Sequence, residues 1–190
     1  MIFVRDKGRM CNNILQYGHV YAWAREHGQR AISMRFAYKY RYFHICHTPW
    51  HNFFVYVLAK FAAKSGLLPV AGFHSSDENS EAMKLLENSK WLVVEGWEVR
   101  FYNLFLKYKH EIISLFTFDK SIATKTAAMM QANSRPTSIK LGIHVRRGDY
   151  KTWQGGKYYY SDEQYADVIQ RFASLHNDND VDVYICGNAP

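Results

Sequence analysis

Residues 2–34 read IFVRDKGRMCNNILQYGHVYAWAREHGQRAISM, and their pattern sets the fold class. Ile2-Phe3-Val4 is a short apolar run of strand character, followed by a charged turn ending at Gly8. Over residues 12–27, Ile14, Leu15, Gly18, Tyr21, Ala22 and Arg25 recur at helical spacing. Asn12 or Asn13 can cap that helix by accepting backbone N–H groups, and Gly28 is a suitable stop. Ala31-Ile32-Ser33-Met34 then reads as a second strand. Strand, helix and strand in this order require a crossover and a parallel pair, which makes the chain α/β.

The same unit recurs near the other end. Residues 139–145 form a strand pattern running into Arg146-Arg147-Gly148-Asp149, with a loop through Gly155-Gly156. Ser161 and Gln164 make a capping box, and Tyr165, Val168, Ile169, Phe172 and Leu175 line one helical face. Residues 181–186 are the next strand. An open parallel sheet continues past such a strand, so this second unit reads as the beginning of a domain, incomplete at residue 190.

Between the two units, helical patterns are expected at 51–64 (stopped by Gly66 and Pro69), 81–87, 102–116 and 121–132. Strands are expected at 68–73 and 91–94, with a polar stretch at 74–79. Residues 35–43 alternate Phe36, Tyr38, Tyr40 and Tyr42 with Arg35, Lys39 and Arg41, as a strand with one aromatic and one basic face would. Asn133-Ser134-Arg135-Pro136-Thr137-Ser138 is the most linker-like segment. The expected domains are therefore 1–136 and 137–190.

With 48% hydrophobic and 16% aromatic residues, the 190-residue chain can build a packed core, which excludes disordered and collagen-like classes. The net charge of +7 favours an anionic ligand: nucleic acid, a membrane surface, or a nucleotide or sugar phosphate. Cys11, Cys46 and Cys186 are far apart and read as buried thiols of a reducing compartment. The first apolar run is too short for a signal peptide, and no stretch approaches the roughly 20 apolar residues of a membrane span. The expected location is cytoplasmic.

The chemistry concentrates in Gly142-Ile143-His144-Val145-Arg146-Arg147-Gly148-Asp149-Tyr150. Ligands of open α/β sheets bind beyond the carboxyl ends of strands, where this segment puts two guanidinium groups, an imidazole and a carboxylate. Guanidinium groups bind phosphate oxygens bidentately, and fixed positive charge stabilises a departing diphosphate. The bland alternative is a surface ion pair between Arg147 and Asp149, with His144 at the edge of the core.

His144-Val145-Arg146-Arg147-Gly148-Asp149-Tyr150 resembles the H-x-R-R-x-D motif of the fucosyltransferase superfamily, most closely the α-1,2-fucosyltransferases, which commonly write it HVRRGDY. Residues 8–17, GRMCNNILQY, are similar to the same family's G-R-L-G-N-Q-M-F-Q-Y, with Cys11 for its second glycine and Asn13 for its glutamine. The resemblance implies a GT-B fold: a Rossmann-like N-terminal domain mainly holding a glycan acceptor, and a Rossmann-like C-terminal domain holding GDP-fucose. It implies inverting transfer without a metal or other cofactor. Arg146 would contact the donor diphosphate, Arg147 would add charge or orient the pocket, and His144 would line the donor site. Asn12 and Arg9 would face the cleft. Asp149 is the nearest carboxylate for a general base, and is better suited to holding Arg147 or capping a turn.

Two further patterns compete. His44, Cys46, His47 and His51 are all able to bind zinc, but Pro49 interrupts any helix aligning them and their spacing fits no closed zinc site. Loop and core histidines are the alternative, and no metal is expected. The 35–43 segment could instead be a nucleic-acid stacking platform, the main rival function, although core burial is the commoner fate of such rings. The preferred partners are GDP-fucose and a glycan, with no nucleic acid; peripheral membrane association and oligomeric state stay open.

Overall fold

The computed structural model describes residues 1–5, 7–74 and 79–187. Asp6 of the expected charged turn and residues 75–78 of the polar stretch lie outside the described residues. The chain forms two compact units, Met1–Ile122 and Ala123–Pro190.

In the first unit the element order is β1 (Ile2–Arg5), α1 (Met10–Glu26), β2 (Ala31–Ser33), α2 (Phe53–Lys64), β3 (Val70–Gly72), α3 (Asn79–Asn88), β4 (Leu92–Glu95), α4 (Tyr102–Lys107) and α5 (Lys109–Leu115). The four strands pair in the order β2-β1-β4-β3, all parallel. Alternation along each strand decides what each face buries. Ile2, Val4, Leu92 and Val94 point to the face covered by α1 and α3, where Val20, Trp23, Ala82 and Leu86 complete a core. Phe3, Ile32 and Val93 point to the opposite face, where Ala59 of α2 joins them.

Several local expectations change. Helix α1 starts at Met10, with Arg9 in the N-cap position and no side-chain cap; neither Asn12 nor Asn13 serves as one. The 102–116 helix is two helices broken at Tyr108, whose φ of −101° and ψ of 14° leave the helical region. Residues 35–43 are not a strand. Ser33 Oγ accepts the N–H groups of Arg35 and Phe36, at 3.2 and 3.1 Å, and this ends β2 in a turn. Tyr40 turns through a positive φ of 57°, and Phe36 packs 5.0 Å from Phe116 while Phe43 stacks 5.1 Å from Phe118. The rings fold into a cluster instead of presenting a stacking ladder. The thiols differ too: Cys11 and Cys186 are exposed and Cys46 is partly so.

The second unit contains most of α6 (Lys120–Ala132), β5 (Ile139–Val145), α7 (Asp162–Ser174) and β6 (Val181–Gly187). The units part within α6, one helix before the linker-like segment, because the end of α6 belongs with β6: Met129 and Asn133 line one cavity with Val181 and Val183. Strands β5 and β6 pair in parallel over seven residues, from Ile139 with Val181 to Val145 with Gly187. The capping box forms as read: Ser161 Oγ accepts from Gln164 N at 3.3 Å, and Gln164 Oε1 accepts from Ser161 N at 2.8 Å. Among the described residues of this unit no hydrophobic side chain is fully buried. No described helix is long and apolar enough to cross a membrane.

Two buried histidines make the first unit acid-sensitive. His51 Nε2 accepts the Ser33 N–H at 3.0 Å, and Nδ1 lies 2.9 Å from Thr48 Oγ1. Burial lowers its pKa to about 4; burial and then the charge of Arg100 do the same to His19, whose Nδ1 accepts the Phe101 N–H at 3.1 Å. An unfolded histidine titrates near 6.5, so between about 6.5 and 4 the unfolded chain binds more protons than the folded one. Their stabilising effect is complete above about pH 6.5 and is lost as pH falls toward 4. The thermal midpoint is expected to be flat near neutrality and to drop between about pH 6.5 and 5, before most carboxylates titrate. A flat profile across that interval contradicts this account.

Candidate functional site

Strand β5 delivers the motif to its carboxyl end. Gly148, with a φ of +66°, turns the chain into a short 3-10 turn, Gly148–Lys151, in a backbone region that favours glycine. The turn brings Asp149 and Tyr150 back over Arg146. The Arg146 Nη2 lies 3.4 Å from Asp149 Oδ2, and its guanidinium sits 4.3 Å above the Tyr150 ring. Its main-chain N–H donates to Tyr165 Oη at 3.3 Å, tying the strand end to α7.

The two neighbouring arginines have different surroundings. Arg147 is committed to the scaffold. Its side chain is 14% exposed, donates to Tyr160 O and Asp162 Oδ1 at the start of α7, and lies over the rings of Tyr159 and Tyr165. Arg146 is 28% exposed, and its Nε is buried with no hydrogen-bond partner among the described residues. A buried cationic N–H without an acceptor is costly, and an anionic ligand would satisfy it. Asp149 lies against Arg146, and Asp162 pairs with Arg147.

His144 is exposed on β5 with Nδ1 3.6 Å from Cys186 Sγ, its neighbour across the β5–β6 ladder. It lines a cavity of about 470 Å³ with Tyr160, Gln164 and Tyr165, a size suited to a small-molecule ligand. An aromatic run borders the motif: Tyr150 stacks on Trp153 at 5.1 Å, and Trp153 lies 5.4 Å from Tyr158. Sequence reasoning did not single out Tyr150, Tyr160 or Asp162 as partners of the arginines. Spacing along one strand cannot reveal side chains contributed by the following turn and helix.

The other expected site residues belong to the first unit. Arg9 and Asn12 are exposed at the start of α1. The Asn12 side chain lies over Gly8, whose φ is +91° and where an added Cβ would come within 2.8 Å of Asn12 Nδ2. Gln16 fixes this loop by accepting from Lys7 N and donating to Lys7 O, at 3.2 and 2.8 Å. Asn13 is fully buried, with neither amide atom partnered among the described residues.

The possible zinc ligands disperse. His51 is held by Ser33 and Thr48, Cys46 Sγ is 3.3 Å from Tyr40 O, and His47 Nε2 is 3.3 Å from Asp119. No group of three or more His, Cys, Asp or Glu able to hold a metal occurs among the described residues.

Against known proteins, the chain is 27% identical over 169 residues to galactoside 2-alpha-L-fucosyltransferase Sec1 of Mus musculus, an alignment covering 82% of this chain and 42% of that protein. The similarity is to a fucosyltransferase. The chain spans less than half the length of that relative. No protein-family model and no solved structure matches.

Proposed function

We propose that the chain acts in fucosyl transfer from GDP-fucose to a hydroxyl of a glycan acceptor, with a GT-B-type arrangement and inversion at the anomeric carbon. The observation that carries this reading is the buried, unpartnered Nε of Arg146 beyond the carboxyl end of β5, in a chain similar to a 2-alpha-L-fucosyltransferase. In such a transfer the acceptor oxygen bonds to the fucose anomeric carbon as that carbon's bond to the diphosphate breaks. GDP leaves with the bonding electron pair, and the acceptor proton passes to a base. Arg146 would meet the negative charge gathering on the diphosphate. Asp149 would orient Arg146, since a carboxylate beside a guanidinium is a poor proton acceptor. Arg147 would hold the strand end, and His144 would line the donor pocket. Arg9 and Asn12 would serve the acceptor side.

The test is a binding titration. GDP-fucose is expected to bind saturably, to be displaced by GDP, and to be displaced far less by GMP, which lacks the second phosphate. Equal competition by GMP and GDP, or no binding of GDP-fucose, refutes the proposal.

A further inference from the structure

Helix α2 is apolar on two sides. Val55, Tyr56, Ala59 and Ala63 pack against the sheet, which accounts for one face. Phe54, Val57, Leu58 and Phe61 recur at helical spacing on the opposite face and are exposed, Phe54 at 71% and Phe61 at 67%. Trp50 and Phe53 before that face, and Leu67 after it at 74% exposure, lengthen the patch. A surface helix normally turns polar residues outward, so a contiguous aromatic and aliphatic face marks an interaction surface.

A cationic pocket lies along one margin of this face. Tyr56, Lys60 and Lys64, spaced four apart, form one wall of a cavity of about 310 Å³. Arg5 from β1 and Arg35 and Tyr38 from the turn after β2 form the other wall. Tyr38 and Tyr56 lie 4.6 Å apart, Arg35 Nη1 donates to Tyr38 Oη at 2.9 Å, and Lys60 Nζ lies 5.6 Å from the Tyr56 ring centre. Arg5 pairs with Glu95 at 2.9 Å. Four cationic side chains and two tyrosines thus stand beside an outward apolar stripe.

We propose that α2 is an interfacial helix that docks the first unit on an anionic phospholipid membrane. The Phe54, Leu58 and Phe61 face enters the boundary of the acyl chains, and the Arg5, Arg35, Lys60 and Lys64 pocket receives a phosphate headgroup. The complementarity of charge selects this occupant. A second copy of the chain would bring a second net charge of +7 against the same basic margin, whereas an anionic leaflet neutralises it.

Co-sedimentation with vesicles tests the proposal, using phosphatidylcholine alone and equimolar phosphatidylcholine with phosphatidylglycerol. The chain is expected to partition at least about tenfold better onto the anionic vesicles, given that each basic side chain near such a surface strengthens binding severalfold. Lys60→Glu with Lys64→Glu is expected to abolish that preference. Phe54→Ser with Phe61→Ser is expected to abolish binding to both vesicles, with unchanged circular dichroism because these side chains already face solvent. Equal partitioning onto both vesicles, retained binding by the phenylalanine variant, or no sedimentation overturns the proposal. So does a concentration-dependent dimer in sedimentation velocity that the phenylalanine variant dissolves while no vesicle binding occurs.

Discussion

Under the proposed function, replacing Arg146 with alanine is expected to lower fucosyl transfer from GDP-fucose by about 10²–10³-fold while leaving the chain folded. The scale is that of removing one donor aimed at developing charge in a dry site. The fold should survive because the contact from this residue to α7 is made by its main-chain N–H to Tyr165 Oη, which alanine keeps. Arg146→Lys separates charge from geometry: a lysine supplies the positive charge without the planar fork that binds two phosphate oxygens, so it should recover only part of the loss. Single-turnover transfer assays at saturating acceptor, with circular dichroism as the folding control, check the result. A variant that turns over like the parent chain ends the assignment of Arg146 to the diphosphate.

Gly96→Ala is expected to cost about 3 kcal/mol, combining backbone strain with overpacking. The residue follows β4 with a φ of +112°, and an added Cβ would fall 2.1 Å from Phe73 O, a main-chain atom that cannot swing aside. That carbonyl accepts the Glu98 N–H at 3.0 Å, and Phe73 N donates to Glu95 O at 2.7 Å, so the crowded backbone is the closure of β3 on β4. At about 2–4 °C per kcal/mol for a chain of this size, the thermal midpoint should fall by about 6–12 °C. Gly28→Ala is the control. Gly28 also has a positive φ, +64°, but an added Cβ there meets nothing within 4 Å, so only backbone strain of about 1–2 kcal/mol applies. Equal losses in the two variants would show that the contact with Phe73 is not the cause.

The elements read best from sequence were those whose signals agree at several levels. Helix α7 has apolar spacing and a capping box, and β5 and β6 flank it with runs of the right length. Residues 35–43 misled because alternation shows only that alternate side chains differ. It does not detect the Ser33 hydroxyl, which takes two backbone N–H groups and ends the strand. The start of α1 misled because Asn is a good cap in general, whereas here Asn13 is drawn fully into the interior and the helix begins before it. In α2, apolar residues on both faces carry too little periodicity to say which face is buried. At the candidate site, the residues consecutive in sequence were legible, but the division of labour between them was not. It depends on the Tyr160 carbonyl, just before α7, and on Asp162 at the start of that helix, both of which accept from Arg147. The cationic pocket beside α2 combines three separated segments, β1, the turn after β2, and α2, and no local pattern announces it.

Arg146 and Arg147 are held by two ties between the end of β5 and α7: the Arg146 N–H donates to Tyr165 Oη, and the Arg147 guanidinium donates to Asp162. Both ties run from one strand end to one helix, so the position of the two guanidinium groups depends on how α7 seats against β5. A ligand that bridges the strand end and α7 would be bound and would also stiffen the unit. Part of its binding free energy would then be spent on ordering the residues that recognise it.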